Sequence, residues 1–172
     1  MSKKKNTQKK TTKKSYTLRE VFKSLSDIQA ALLNDEIAKD ICEESDQPIS
    51  ILSAVPIMFE EMDVTAKTVN GKIMLNPALM DEPFNILMRY VIHELVHVMQ
   101  HIEGGSKKGN KEKGNYLDKK NEEDAFKRQI EFDFEHRPEG DIEEYIEGLF
   151  EYHEYPEEKR EEKEEDLKEL VD

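Results

Sequence analysis

His93-Glu94-Leu95-Val96-His97 sets two imidazoles four residues apart, with a carboxylate between them. On a helix, four residues advance the chain about 6 Å and turn it roughly 400°, so both imidazoles leave from one face and can share one metal ion. Neutral His nitrogens suit zinc, and a zinc ion with one coordination position open lowers the pKa of its water towards about 7. Glu94 stands where a carboxylate reaches that water without being a ligand. It takes the water's proton as the oxygen attacks a carbonyl, and can then return it to a leaving amine. The chemistry on offer is metal-assisted hydrolysis of an amide bond.

These residues need a helix to hold them, and Pro83 to Ile102 reads as one. Ile86, Leu87, Tyr90, Val91, Ile92, Leu95, Val96, Val98, Met99 and Ile102 make it apolar around most of its circumference, which predicts burial at the centre of a domain. Two His and a Glu on a buried helix are costly without partners, and a shared metal supplies them.

A catalytic site of this kind needs a third protein ligand. His101 is four residues beyond His97, but His93 and His101 lie about 12 Å apart along one axis and cannot converge on an ion with bonds of about 2.0 to 2.1 Å. Glu103 occupies the third-ligand spacing of H-E-x-x-H-x-x-G-x-x-H, yet Gln100 stands where that pattern has Gly and no Met follows Met99. Asn121-Glu122-Glu123-Asp124-Ala125-Phe126 opens a second helical pattern that runs to about Glu135, with Asn121 as the expected N-cap. Glu122 shares a side with Ala125, Phe126 and Gln129, the side expected to pack on the motif helix. Glu123 is the alternative, and a solvated acidic first turn is the plain reading of both.

With the H-E-x-x-H motif, these residues give the segment from about Val64 to Phe134 a resemblance to the gluzincins, the thermolysin-like zinc peptidases. Their third ligand is a Glu on the next helix in an N-E or E-x-x-A context. Tyr116-Leu117 followed by Glu122-Glu123-Asp124-Ala125-Phe126 and Gln129 looks most like small H-E-x-x-H proteins of bacteriophages and bacteria. The resemblance implies His93, His97 and Glu122 as zinc ligands and Glu94 as the catalytic base. It departs at Phe126, where thermolysin carries an Asp, so support for a ligand His must come from elsewhere. A Tyr or His often helps to hold the oxyanion in such enzymes. Tyr116 is the first choice here, with His101, Tyr145, His136 and His153 as competitors.

Val64-Thr65-Ala66-Lys67-Thr68-Val69 and Lys72-Ile73-Met74-Leu75 read as strands around a type I′ turn at Asn70-Gly71. In zincins a small sheet precedes the motif helix and its edge pairs with an extended substrate, a role this hairpin suits. Thr17-Leu18-Arg19-Glu20 is a capping box, followed by apolar residues at helical spacing from Val21 to Ile41, so one or two helices fill about Thr17 to Glu43. Ile49 to Glu61 is ambiguous between a short strand and a short helix. Gly, Lys and Asn dominate Glu103 to Asn115, a loop beside the motif. After Pro138, Ile142, Tyr145, Ile146, Leu149, Phe150 and His153 suggest another amphipathic helix. Tyr155 to Asp172 holds nine acids and four basic residues, a charged helix or tail.

The fold expected is therefore α+β and minimal zincin-like, with helices on a small sheet or hairpin and a buried motif helix. Residues 1–15 form a disordered basic tail, 16–154 the domain and 155–172 the charged end. With 172 residues and one Cys, Cys42, the chain suits a single domain without an intramolecular disulfide. The charged start lacks the apolar run of a signal peptide, and nothing reads as membrane-spanning, so the cytoplasm, a host's if phage-encoded, is the expected compartment. Net charge is −13 although the first fourteen residues hold seven Lys, which leaves the body near −20. Such a body repels nucleic acid, and the tail offers only weak contact. A peptide or protein is the expected substrate. The competing class is a catalytically silent, zinc-stabilised interaction protein, which the intact Glu94 disfavours because a structural zinc site needs no base. A DNA-associated protease is disfavoured by the acidic body.

Overall fold

The computed structural model describes residues 14–104, 117, 119–136 and 142–169. Among these are six α-helices and a three-stranded mixed sheet, an α+β arrangement of helices on a small sheet. The basic tail before residue 14 and the Gly-rich stretch from 105 to 116, Tyr116 included, lie outside the described residues.

Helix α1 (Leu18–Asn34) begins at the capping box: Thr17 accepts from the Glu20 amide while the Glu20 carboxylate takes the Thr17 amide at 2.7 Å. Asp35 ends α1 and starts α2 (Glu36–Glu44), its side chain accepting from the Ala38 amide at 2.9 Å. The ambiguous stretch resolves into both alternatives, a 3₁₀ turn at Ile49–Ser53 and then strand β1 (Ile57–Phe59). Pro56 separates them.

Strands β2 (Ala66–Val69) and β3 (Lys72–Leu75) form the antiparallel hairpin, with Val69 opposite Lys72. Asn70 and Gly71 both take positive φ, 52° and 72°, as a type I′ turn requires. Strand β1 pairs parallel with β3, so the order is β1-β3-β2 and β2 is left as an edge.

Helix α3 (Phe84–Ile102) carries the motif through the centre of the molecule, with Leu87 to Val96, Val98 and Met99 mostly buried. One side packs on Ile73 and Leu75 of the sheet and on Ile28, Leu32 and Ile41 of the first two helices. Full burial of each such side chain contributes about 1.5–3 kcal/mol. Helix α4 (Lys120–His136) lies antiparallel to α3 and has two apolar faces: Ala125 and Phe132 join this core, while Phe126 and Ile130 join a second one. The second core is completed by Ile146 and Phe150 of α5 (Ile142–Tyr152), by Tyr155, and by Leu167 of α6 (Arg160–Glu169). The charge-rich C-terminal segment is thus a helix anchored on one side. No helix among the described residues is long and apolar enough to cross a membrane.

One expectation is corrected. Asn121 does not cap α4 but lies inside its first turn, because the amides of Glu122 and Glu123 both donate to the Lys119 carbonyl and start the helix earlier.

Candidate metal centre

Successive turns of α3 place the Nε2 atoms of His93 and His97 3.2 Å apart. The first turn of α4, running the opposite way, brings Glu122 Oε2 to 3.3 Å from the first and 3.2 Å from the second. The N-terminus of a helix favours a carboxylate there. Ligand atoms about 2.05 Å from a tetrahedral ion stand about 3.3 Å apart, so this triangle has the edges that a tetrahedral N₂O zinc site needs. All three side chains are largely enclosed, the most open being His97 at 15% exposure.

His97 is oriented by its other nitrogen: Nδ1–H donates to Gln100 Oε1 at 2.9 Å, and Gln100 Nε2 donates to the Asn121 carbonyl at 3.0 Å. One amide side chain therefore fixes the imidazole and ties α3 to the turn that carries Glu122. His93 lacks such support among the described residues, for its Nδ1 is buried without a hydrogen-bond partner and Phe126 packs edge-on against its ring. Burial opposes a charge on His97, but hydrogen bonding and charge from Glu122, with smaller help from Glu94 and Gln100, hold its pKa above the ordinary His value. A proton is drawn to the same point as a cation.

Glu94 stands apart from this triangle. Its carboxylate is nearly buried and receives the Thr68 hydroxyl, whose Oγ1 lies 2.8 Å from Oε2 and also 3.0 Å from the Glu94 carbonyl. Thr68 comes from β2, so the edge strand holds the carboxylate of the motif. Beside them opens a cleft of about 720 Å³, bounded by Val64–Ala66, by Arg89, Tyr90, His93 and Glu94 of α3, and by residues of α4 and α5.

The remaining candidates divide by position. Tyr145 and His153 line the cleft. Tyr145 accepts from Gln129 Nε2 at 2.6 Å, and burial, against the pull of Arg89, pushes its phenol well above the usual range. Burial first, then the charge of His93, lowers the pKa of His153. His101 sits instead against the hairpin turn, where its Cδ2 would be 3.1 Å from a Cβ at Gly71. His136 stacks on Phe132 and faces Asp35. Glu123 turns to Lys163 of α6 at 3.5 Å, and Glu103 ends α3 in solvent. Sequence reasoning missed Thr68 and Gln100. The signal for Gln100 was an amide one turn after the second His of the motif; for Thr68 it was a hydroxyl at the inward register of a hairpin beside the motif helix.

No family model, curated protein or solved structure matches the chain.

Proposed function

We propose that the chain is a zinc-dependent peptidase of the gluzincin kind, with His93, His97 and Glu122 holding the metal and Glu94 as general base. The reading is carried by one observation: three donor atoms stand 3.2–3.3 Å apart, and one of them, on His93, shares the lining of a cleft with a second carboxylate, Glu94. When bound, zinc supplies a Lewis acid that lowers the pKa of water and polarises a carbonyl.

The protein's own groups do the rest. The Thr68 hydroxyl fixes one oxygen of Glu94, and the carboxylate accepts the proton of the attacking water and passes it to the amine that leaves. Gln100 keeps His97 in the tautomer whose Nε2 lone pair faces the metal point. The β2 edge at the cleft suits an extended peptide, whose main chain would add to the sheet. Of the oxyanion candidates named from the sequence, His153 and Tyr145 line the cleft, and Tyr145 enters as a neutral donor.

Three protein donors beside an open cleft suit catalysis better than a purely structural zinc site, which is normally closed by four. The test is incubation of zinc-loaded protein with a broad peptide library read by mass spectrometry. New termini that vanish with a chelator and return with zinc support a peptidase. An unchanged library favours the interaction-protein reading.

A further inference from the structure

Arg89 is one helical turn before His93, roughly 6 Å along α3, and lines the same cleft as His93 and Glu94. It is the one Arg or Lys among the described residues that line this cleft. The wall around it is largely aromatic and apolar, where a charge is costly unless it is matched. Its side chain is only 17% exposed, and among the described residues the nearest carboxylate, Asp133 Oδ1, lies 3.6 Å from Nη1, beyond hydrogen-bond range. The buried Nε has no hydrogen-bond partner among the described residues.

The rings of Tyr90 and Tyr145 lie 5.3 and 5.2 Å from the guanidinium carbon. Together with hydrogen bonding to Tyr90, these contacts hold the group in a low-dielectric setting and leave its other N–H donors available to a ligand. A guanidinium offers five N–H donors in a planar fork that matches a carboxylate in bidentate fashion. A cation held by Tyr90 and, at longer range, by Asp133, and lining a substrate-sized cleft, is placed to receive a second carboxylate.

Resting on the peptidase reading, we propose that Arg89 determines specificity by binding a carboxylate of the peptide substrate, either its free C-terminus or an Asp or Glu side chain. The purely structural alternative is a brace that ties α3 to α4 through Asp133. The two differ in substrate preference, which a brace does not create.

The experiment uses full-length, zinc-loaded protein and an acetylated, amidated peptide library in which a single Glu, or its neutral isostere Gln, is walked along the sequence. The same peptides with free carboxyl ends separate the two carboxylate sources. Wild type is expected to favour the acidic member at one position, or the free-acid end, by about tenfold or more in kcat/KM. In Arg89→Gln that ratio should fall to near one, and in Arg89→Lys it should be intermediate, because Lys keeps the charge without the fork. The ratio is read within each variant, so a loss of folded protein does not imitate the result. Equal cleavage of acidic and neutral peptides by wild type, or a preference that survives Arg89→Gln, overturns the proposal and leaves the peptidase reading standing.

If no peptide is cleaved, the peptidase reading falls while Arg89 is still tested by binding. Labelled free-acid, Glu-containing and neutral peptides are titrated against Glu94→Gln protein and against the Arg89→Gln, Glu94→Gln double variant. A carboxylate preference present only with Arg89 sustains the assignment, and its absence ends it.

Discussion

Thr68 on the edge strand and Glu94 on the buried helix are joined by a 2.8 Å hydrogen bond between hydroxyl and carboxylate, across 26 residues of chain. The bond ties the sheet to the carboxylate of the motif, so on the peptidase reading the sheet helps to position the proposed base. It leaves one carboxylate oxygen for a water and restricts the rotation of the other.

Thr68→Val keeps the shape and removes the donor. With a hydrogen bond to a charged group worth about 1.5–3 kcal/mol, kcat should fall about tenfold to a hundredfold, with KM and zinc content unchanged. Steady-state kinetics beside metal analysis decide it. A variant with wild-type kcat would show that Thr68 serves only to pack β2 on α3.

Metal affinity should rank the acidic and amide residues around the imidazoles. Glu122→Ala removes a proposed ligand and should abolish stoichiometric zinc, whereas Gln100→Ala removes only the support of His97 and should weaken binding about 10- to 100-fold. Glu123→Ala, whose carboxylate faces Lys163, should leave affinity as it was. Competition with a chromophoric chelator gives the three constants, and a larger loss at Glu123 than at Glu122 would reverse the ligand assignment.

The raised pKa of His97 gives metal-free protein a pH dependence of defined sign. A folded pKa above the unfolded value means that protonated His97 stabilises the metal-free fold fully below about pH 6.5, and that this is lost as pH rises through the folded value. In chelator, the stability difference between wild type and His97→Gln should shrink with rising pH. Zinc held at the proposed site would compete with the same proton, so its apparent affinity should climb over that range. A metal-free difference that grows with pH would contradict the assignment.

Much of the arrangement was legible because it follows local rules. The capping box at Thr17, the Asn70-Gly71 turn and the apolar periodicity of α3 each depend on neighbours within a few residues. The helix start at Lys120 was misjudged because the Lys119 carbonyl, not the Asn121 side chain, begins the hydrogen-bond ladder. The encounter of Glu122 with the two imidazoles could be anticipated from the shared side with Ala125 and Phe126, since a helix packs on its apolar face. Thr68 and Gln100 stayed hidden for a different reason. Their significance lies in partners reached through tertiary packing or through a turn of a fully buried helix, and no spacing rule marks them. Phe126 reads both as part of that apolar face and as a missing Asp; in place it packs on His93 and joins the second core.

The most direct measurement of the central claim is a paired assay of wild type and Glu94→Gln for zinc content, thermal stability and peptide hydrolysis. The amide removes the proton acceptor and preserves size, both His ligands and a hydrogen-bond acceptor for Thr68. Zinc content and melting temperature should stay near wild type while hydrolysis falls at least about 100-fold. A Glu94→Gln protein that holds its zinc and cleaves as fast as wild type would contradict the role of Glu94 as the base.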